Sequence, residues 1–88
     1  MTIEAFAEAT SSSALRAIVT LKAEWFRAAN KSERERVLAA MRDAAIPAIE
    51  EAMRDASELP AMADIIARTA VATIVAAGAT AITTGAAA

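Results

Sequence analysis

The sequence predicts an all-α chain: a short N-terminal helix, an antiparallel helical hairpin and a long Ala-rich C-terminal helix, working within an oligomer. Three observations carry this. Alanine, the strongest helix former, is the most frequent residue. β-Branched and aromatic residues never alternate with polar ones over the length of a strand. The two glycines, Gly78 and Gly85, both lie near the C-terminus, so no glycine marks a tight turn earlier in the chain. At 88 residues the chain forms one domain, 1–88, and buries only about 60–65% of its unfolded surface. Its parts are 1–30, with the N-terminal helices, 32–58, a charged amphipathic helix, and 59–88, an uncharged Ala/Thr/Gly-rich helix.

Thr2 is placed to cap a first helix running through Ala9, with Glu4 and Glu8 beside Ile3, Phe6 and Ala7. Ser11, Ser12 and Ser13 interrupt that pattern, because serine hydroxyls compete for backbone donors, and they offer an N-cap to a second helix. From there the apolar residues recur as Leu15, Ile18, Val19, Trp25, Phe26 and Ala29, close to one helical stripe. Asn30 tolerates the left-handed conformation of a C-cap, so this helix is expected to end at Asn30 and Lys31. Ser32-Glu33-Arg34-Glu35 has the pattern of a capping box opening the third helix. That helix carries Val37, Leu38, Met41, Ala45, Ala48, Ala52 and Ala56 near one stripe, with Glu50–Arg54 and Arg54–Glu58 as i, i+4 pairs. The second and third helices form the hairpin, anchored by Trp25 and Phe26.

Pro47 removes one backbone hydrogen bond inside the third helix and predicts a kink between Asp43 and Pro47. Ser57-Glu58-Leu59-Pro60 stops that helix and starts the next, with Ser57 as a possible cap and Pro60 accepted in the first turn. The fourth helix is expected from Pro60 to about Thr84, with Thr83-Thr84-Gly85 as its end.

Asp64 and Arg68 form a favourably oriented i, i+4 pair, and Thr69 to Ala88 is uncharged. That length matches the ~20 residues a helix needs to cross a bilayer. Its strong hydrophobes are only Val71, Ile74, Val75 and Ile82, together worth about −2 kcal/mol of insertion energy. Small residues recur four apart along Thr69, Thr73, Ala77, Ala81 and Gly85, with Ile74, Gly78 and Ile82 on a neighbouring row, the spacing that lets helix backbones approach closely. Val71, Thr73, Ile74, Val75, Ala77, Gly78, Ala81, Ile82 and Gly85 therefore form the candidate helix-packing interface.

The chain has no Cys, His or Tyr, which excludes disulfides, thiolate or imidazole metal sites and the commonest nucleophiles and general bases. No catalytic, cofactor-binding or metal-ligating set emerges: Glu50, Glu51 and Asp55 lie on a solvated helix face, and neither glycine belongs to a phosphate loop. Nine Lys and Arg against eleven Asp and Glu leave a net charge of −2, too near neutral for general attraction to nucleic acid. The local basic corner of Lys22, Arg27, Lys31, Arg34 and Arg36 is interleaved with Glu24, Glu33 and Glu35. Met1-Thr2-Ile3-Glu4 lacks the basic start of a secretory signal, so synthesis is expected in the cytoplasm.

Trp25-Phe26-Arg27 lacks the glycine of a Trp-x-Gly turn, and no family is assigned from these residues. The expected function is a non-enzymatic structural subunit of a larger helical assembly, such as a minor virion or phage-particle component. Its partners would be copies of itself or other structural proteins, with no small-molecule substrate. The alternative is a small membrane protein of holin or membrane-subunit type with one weak C-terminal span.

Overall fold

The computed structural model describes residues 2–87, which fold as four α-helices: α1 (Ile3–Leu21), α2 (Ala23–Ala28), α3 (Lys31–Glu58) and α4 (Ala63–Ala87). A 3-10 turn, Pro60–Met62, leads into α4. The α3–α4 pair makes the most extensive contact, and α1 packs on both arms of that hairpin. The longest dimension is 43 Å, close to the ~1.5 Å per residue rise of α3 alone, so α3 sets the length of the molecule.

Thr2 caps α1 as its position implies: its Oγ1 accepts the N–H of Ala5 at 3.1 Å. The helix does not stop at Ala9. It runs through all three serines to Leu21, because Ser11 falls on the stripe Ala7, Ser11, Ala14 and Ile18 that packs inward. Serine is only mildly unfavourable inside a helix, and burial of its neighbours overrides its local preference for a cap. The result is a fully buried Ser11 hydroxyl with no hydrogen-bond partner. The chain breaks instead at Lys22 (φ −124°, ψ 39°), whose N–H still reaches the carbonyl of Ile18.

Asn30 is not a left-handed C-cap. Its backbone is extended (φ −80°, ψ 173°) and it serves as the N-cap of α3. Its Oδ1 accepts from the Glu33 amide at 2.8 Å, while Glu33 Oε1 accepts from the Asn30 amide at 3.4 Å. The capping box is thus Asn30–Glu33, two residues before the Ser32–Glu35 pattern. α3 then continues unbroken through Pro47, which is exposed, so the missing hydrogen bond falls on the solvent side. Leu59, not Ser57, occupies the N-cap position of the Pro60 turn, and no side chain caps it. α4 runs past Thr83, Thr84 and Gly85 to Ala87.

The core is one small cluster. Ile18 from α1, Phe26 from α2, Val37, Met41, Ala45 and Ile49 from α3 and Ile74, Ala81 and Ile82 from α4 are buried together. Of the expected α3 stripe, Val37, Met41 and Ala45 are buried and Leu38, Ala48, Ala52 and Ala56 half-buried. Among the described residues the ion pairs are Asp64–Arg68 at 3.1 Å, Lys31–Glu35 at 3.9 Å and Glu8–Arg42 at 3.9 Å. Arg54 pairs with neither Glu50 nor Glu58 within salt-bridge distance. All three pairs are largely solvent-exposed and contribute little.

Ser11→Ala removes an unpartnered buried hydroxyl and adds the better helix former. It is expected to stabilise the fold by about 1 kcal/mol, or roughly 4–8 °C in Tm, in thermal unfolding followed by circular dichroism. Asn30→Ala removes the α3 cap and is expected to lower stability by about 1 kcal/mol in the same measurement.

Candidate helix-packing surface

α4 has two unlike faces. Inward, Ile74, Gly78, Ala81 and Ile82 are buried within the chain, while Val75 and Ala77 are half-buried. Of the remaining interface candidates, Val71 and Thr73 are exposed, and the surroundings of Gly85 lie outside the described residues. The row of Ile74, Gly78 and Ile82 thus serves first to close the chain on itself.

Gly78 is the tightest point. A Cβ placed there would overlap Ile18 Cδ1 of α1 and stand 2.8 Å from Met41 Sδ and 3.0 Å from Met41 Cγ of α3. The glycine is needed for space, since no described residue has positive φ. One turn further on, Arg36 Nη1 donates to the carbonyl oxygen of Ala81 at 2.8 Å. This hydrogen bond ties the start of α3 to the distal half of α4.

Outward, Ile65, Thr69, Ala72, Thr73, Ala76, Thr80 and Thr83 are exposed. Three of these threonines return their hydroxyl protons to their own helix: Thr69 Oγ1 to Ile65 O at 2.9 Å, Thr73 Oγ1 to Thr69 O at 3.0 Å and Thr83 Oγ1 to Ala79 O at 3.2 Å. Covering this face therefore strands no hydroxyl donor at those positions, which removes the main cost of burying threonine. The helix Pro60–Thr84 is long and apolar enough to cross a membrane, yet only 17% of its most apolar stretch is buried in the chain.

Trp25 and Phe26 sit on α2 with ring centroids 5.0 Å apart and planes at 83°, an edge-to-face pair. Phe26 is buried in the core and Trp25 half-buried against it. The anchor residues thus fasten the α1–α3 link to the body of the molecule. Their basic surroundings do not gather into one patch: Lys31 faces Glu35, and Arg36 is engaged with α4. Among the described residues no group of three acidic side chains is arranged to hold a metal ion.

At the other end lies a groove of about 360 Å³, lined chiefly by Phe6 of α1, Ile49 and Met53 of α3 and Ala67, Ala70 and Val71 of α4. It forms where α1 ends while the longer hairpin continues. Sequence periodicity does not show it, because it depends on three helices converging.

Searches of protein-family models, curated proteins and solved structures find no match to this chain.

The Gly78 seat yields a sharp test. Gly78→Ala gains about 1 kcal/mol of helix propensity but overpacks a closed site at a cost of about 1–3 kcal/mol, so net destabilisation is expected. Ile18→Val deletes the methyl that the new Cβ meets. The double variant Ile18→Val/Gly78→Ala should therefore be more stable than the sum of the two single effects requires, by at least about 0.5 kcal/mol in a urea-unfolding cycle. Strict additivity would show that the two positions do not meet.

Proposed function

We propose that the chain is a non-enzymatic structural subunit that associates with copies of itself, or with other structural proteins, through the outward face of α4. The assembly we have in mind is a particle such as a virion or phage, in which small helical subunits pack side by side. One observation carries this reading: an uncharged Ala/Thr face with its threonine hydroxyls largely turned back onto the helix, left uncovered by its own chain. Small side chains let a second helix approach closely, and dispersion then acts along the whole contact. The absence of Cys, His and Tyr from the sequence fits a role without acid–base or nucleophilic chemistry.

A membrane role draws on the same helix, because its length and composition meet the requirement for a span. The balance favours protein. Ile74 and Ile82 already face inward, so lipid contact with the folded subunit would reach Ile65 and Val71 and otherwise chiefly alanine and threonine, which gain little from hydrocarbon.

Ala72 and Ala76 are exposed and take no part in the core. Ala72→Glu and Ala76→Glu should each weaken self-association by at least about a hundredfold, because the seam would enclose an unpaired carboxylate, while leaving helical content and Tm close to those of the parent. Light scattering across a concentration series reads the mass. Unchanged mass in both variants would overturn the proposal, and resistance to carbonate extraction by the purified chain bound to lipid vesicles would favour the membrane role.

A further inference from the structure

The charged side chains are sorted along the molecule. Phe6 of α1 and Val71 of α4 stand by Ile49 and Met53 of α3, whereas Ile18 and Gly78 stand by Met41. Both α1 and α4 therefore run antiparallel to α3. One end of the molecule holds the start of α1, the end of α3 and the start of α4. Over residues 3–10 and 50–68 its side chains include seven acids and two arginines, a net charge of −5. The other end, with residues 16–36 and the uncharged distal half of α4, carries six bases and three acids, a net +3. Arg42 and Asp43 lie between and cancel. The helix termini gathered at the acidic end offset only about half a charge.

Each end also carries one half of an apolar fit. The groove of about 360 Å³ at the acidic end has no charged residue in its lining, and its walls include Phe6, 49% exposed, and Met53, 59% exposed. At the basic end Leu21 is 74% exposed, more than any other large hydrophobe among the described residues, at the point where α1 breaks before Lys22. Phe6 and Leu21 are fifteen residues apart on α1, ~22 Å along its axis and within about 60° of each other around it. With Thr10, Ser13 and Ala17 they make one uncharged face of α1, at spacings of four, three, four and four residues.

We infer that this face of α1 pairs with the same face of a second copy in antiparallel orientation, each Leu21 entering the groove of the other. A two-fold operation carries the Phe6 end of one α1 onto the Leu21 end of its partner, so both grooves fill at once and the contact closes on itself. The same operation lays the −5 end of each copy beside the +3 end of the other, whereas a parallel pair sets like charges together. The basic end of a copy is the occupant that offers both a bare leucine and the complementary charge. Charge sets the orientation, and the two leucines supply the burial. This contact is separate from the outward face of α4 and does not rest on it.

The chain has no cysteine, so a single introduced one reports the contact. Ser13 is exposed and midway between Phe6 and Leu21, beside the two-fold axis, while Ser12 is also exposed but turned about 100° away. In the full chain, Ser13→Cys treated with copper(II) phenanthroline should form a disulfide-linked pair at least about tenfold faster than Ser12→Cys, because only the former brings two sulfurs within bonding geometry. Adding Leu21→Ser to Ser13→Cys should slow the reaction at least about tenfold, and about 1 M NaCl should slow it severalfold. Adding Ala72→Glu should leave the rate unchanged. All four positions are exposed, so each variant should keep the Tm of the parent by circular dichroism. Equal rates for the two serine variants, or a rate indifferent to Leu21→Ser or to salt, would overturn the pair. Cross-linking abolished by Ala72→Glu would overturn it too, by placing the contact on α4. A chain that stays monomeric in light scattering at every concentration and does not cross-link would also overturn it, leaving the groove to a different protein.

Discussion

Ile18 of α1 and Met41 of α3 close over Gly78 of α4, and a side chain at position 78 would force the ends of both to give way. Ile18, Met41 and Ile74 are among the few large side chains that are fully enclosed. A core this small cannot spread the effect of one misplaced methyl, since close-packed interiors relax only partly around added or missing volume. The glycine costs about 1 kcal/mol of helix propensity, and the close approach it permits lets Ile74 and Ile82 be buried on either side. The Arg36 bond to Ala81 then holds the distal half of α4 in register with α3.

What was legible in the sequence follows from the range of the forces involved. The Thr2 cap, the stop at Leu59-Pro60, the inward stripe of Val37, Met41 and Ala45 and the long uncharged helix are set by neighbours within a few turns, and the residues report them directly. The serine run and the start of α3 were not legible, because each offers two locally acceptable solutions. Ser11 can cap a helix or sit inside one, and the inward positions of Ala7, Ala14 and Ile18 decide for the latter. Asn30–Glu33 and Ser32–Glu35 share the spacing of a capping box; α3 begins with the earlier pair. Gly78 shows the same limit at longer range. Read locally it only weakens a helix, and its use appears once positions 18, 41 and 78 are brought together.

The two faces of α4 divide its residues by what they can gain. Ile74 and Ile82 point inward, where packing against α1 and α3 rewards their shape. Alanine and threonine make up most of the outward face, where they gain little from oil but allow a second backbone to come near, and Ile65 and Val71 are exposed with them. A lone membrane span favours the opposite distribution, with its largest hydrophobes toward lipid. The threonine hydroxyls turned back onto their own carbonyls fit either environment, so the placement of Ile74 and Ile82 discriminates better than overall hydropathy does.

A chain of this size has little stability to spare, because its buried surface barely exceeds the cost of ordering the backbone. In such a molecule α1 is held by Ile18, with Ile3 and Leu15 packed beside it and Ala7, Ala14 and the unpartnered Ser11 on the same inward stripe. That stripe carries a cost of its own, a buried hydroxyl that water would otherwise satisfy, and the burial of Ile18 against Gly78 and Met41 outweighs it.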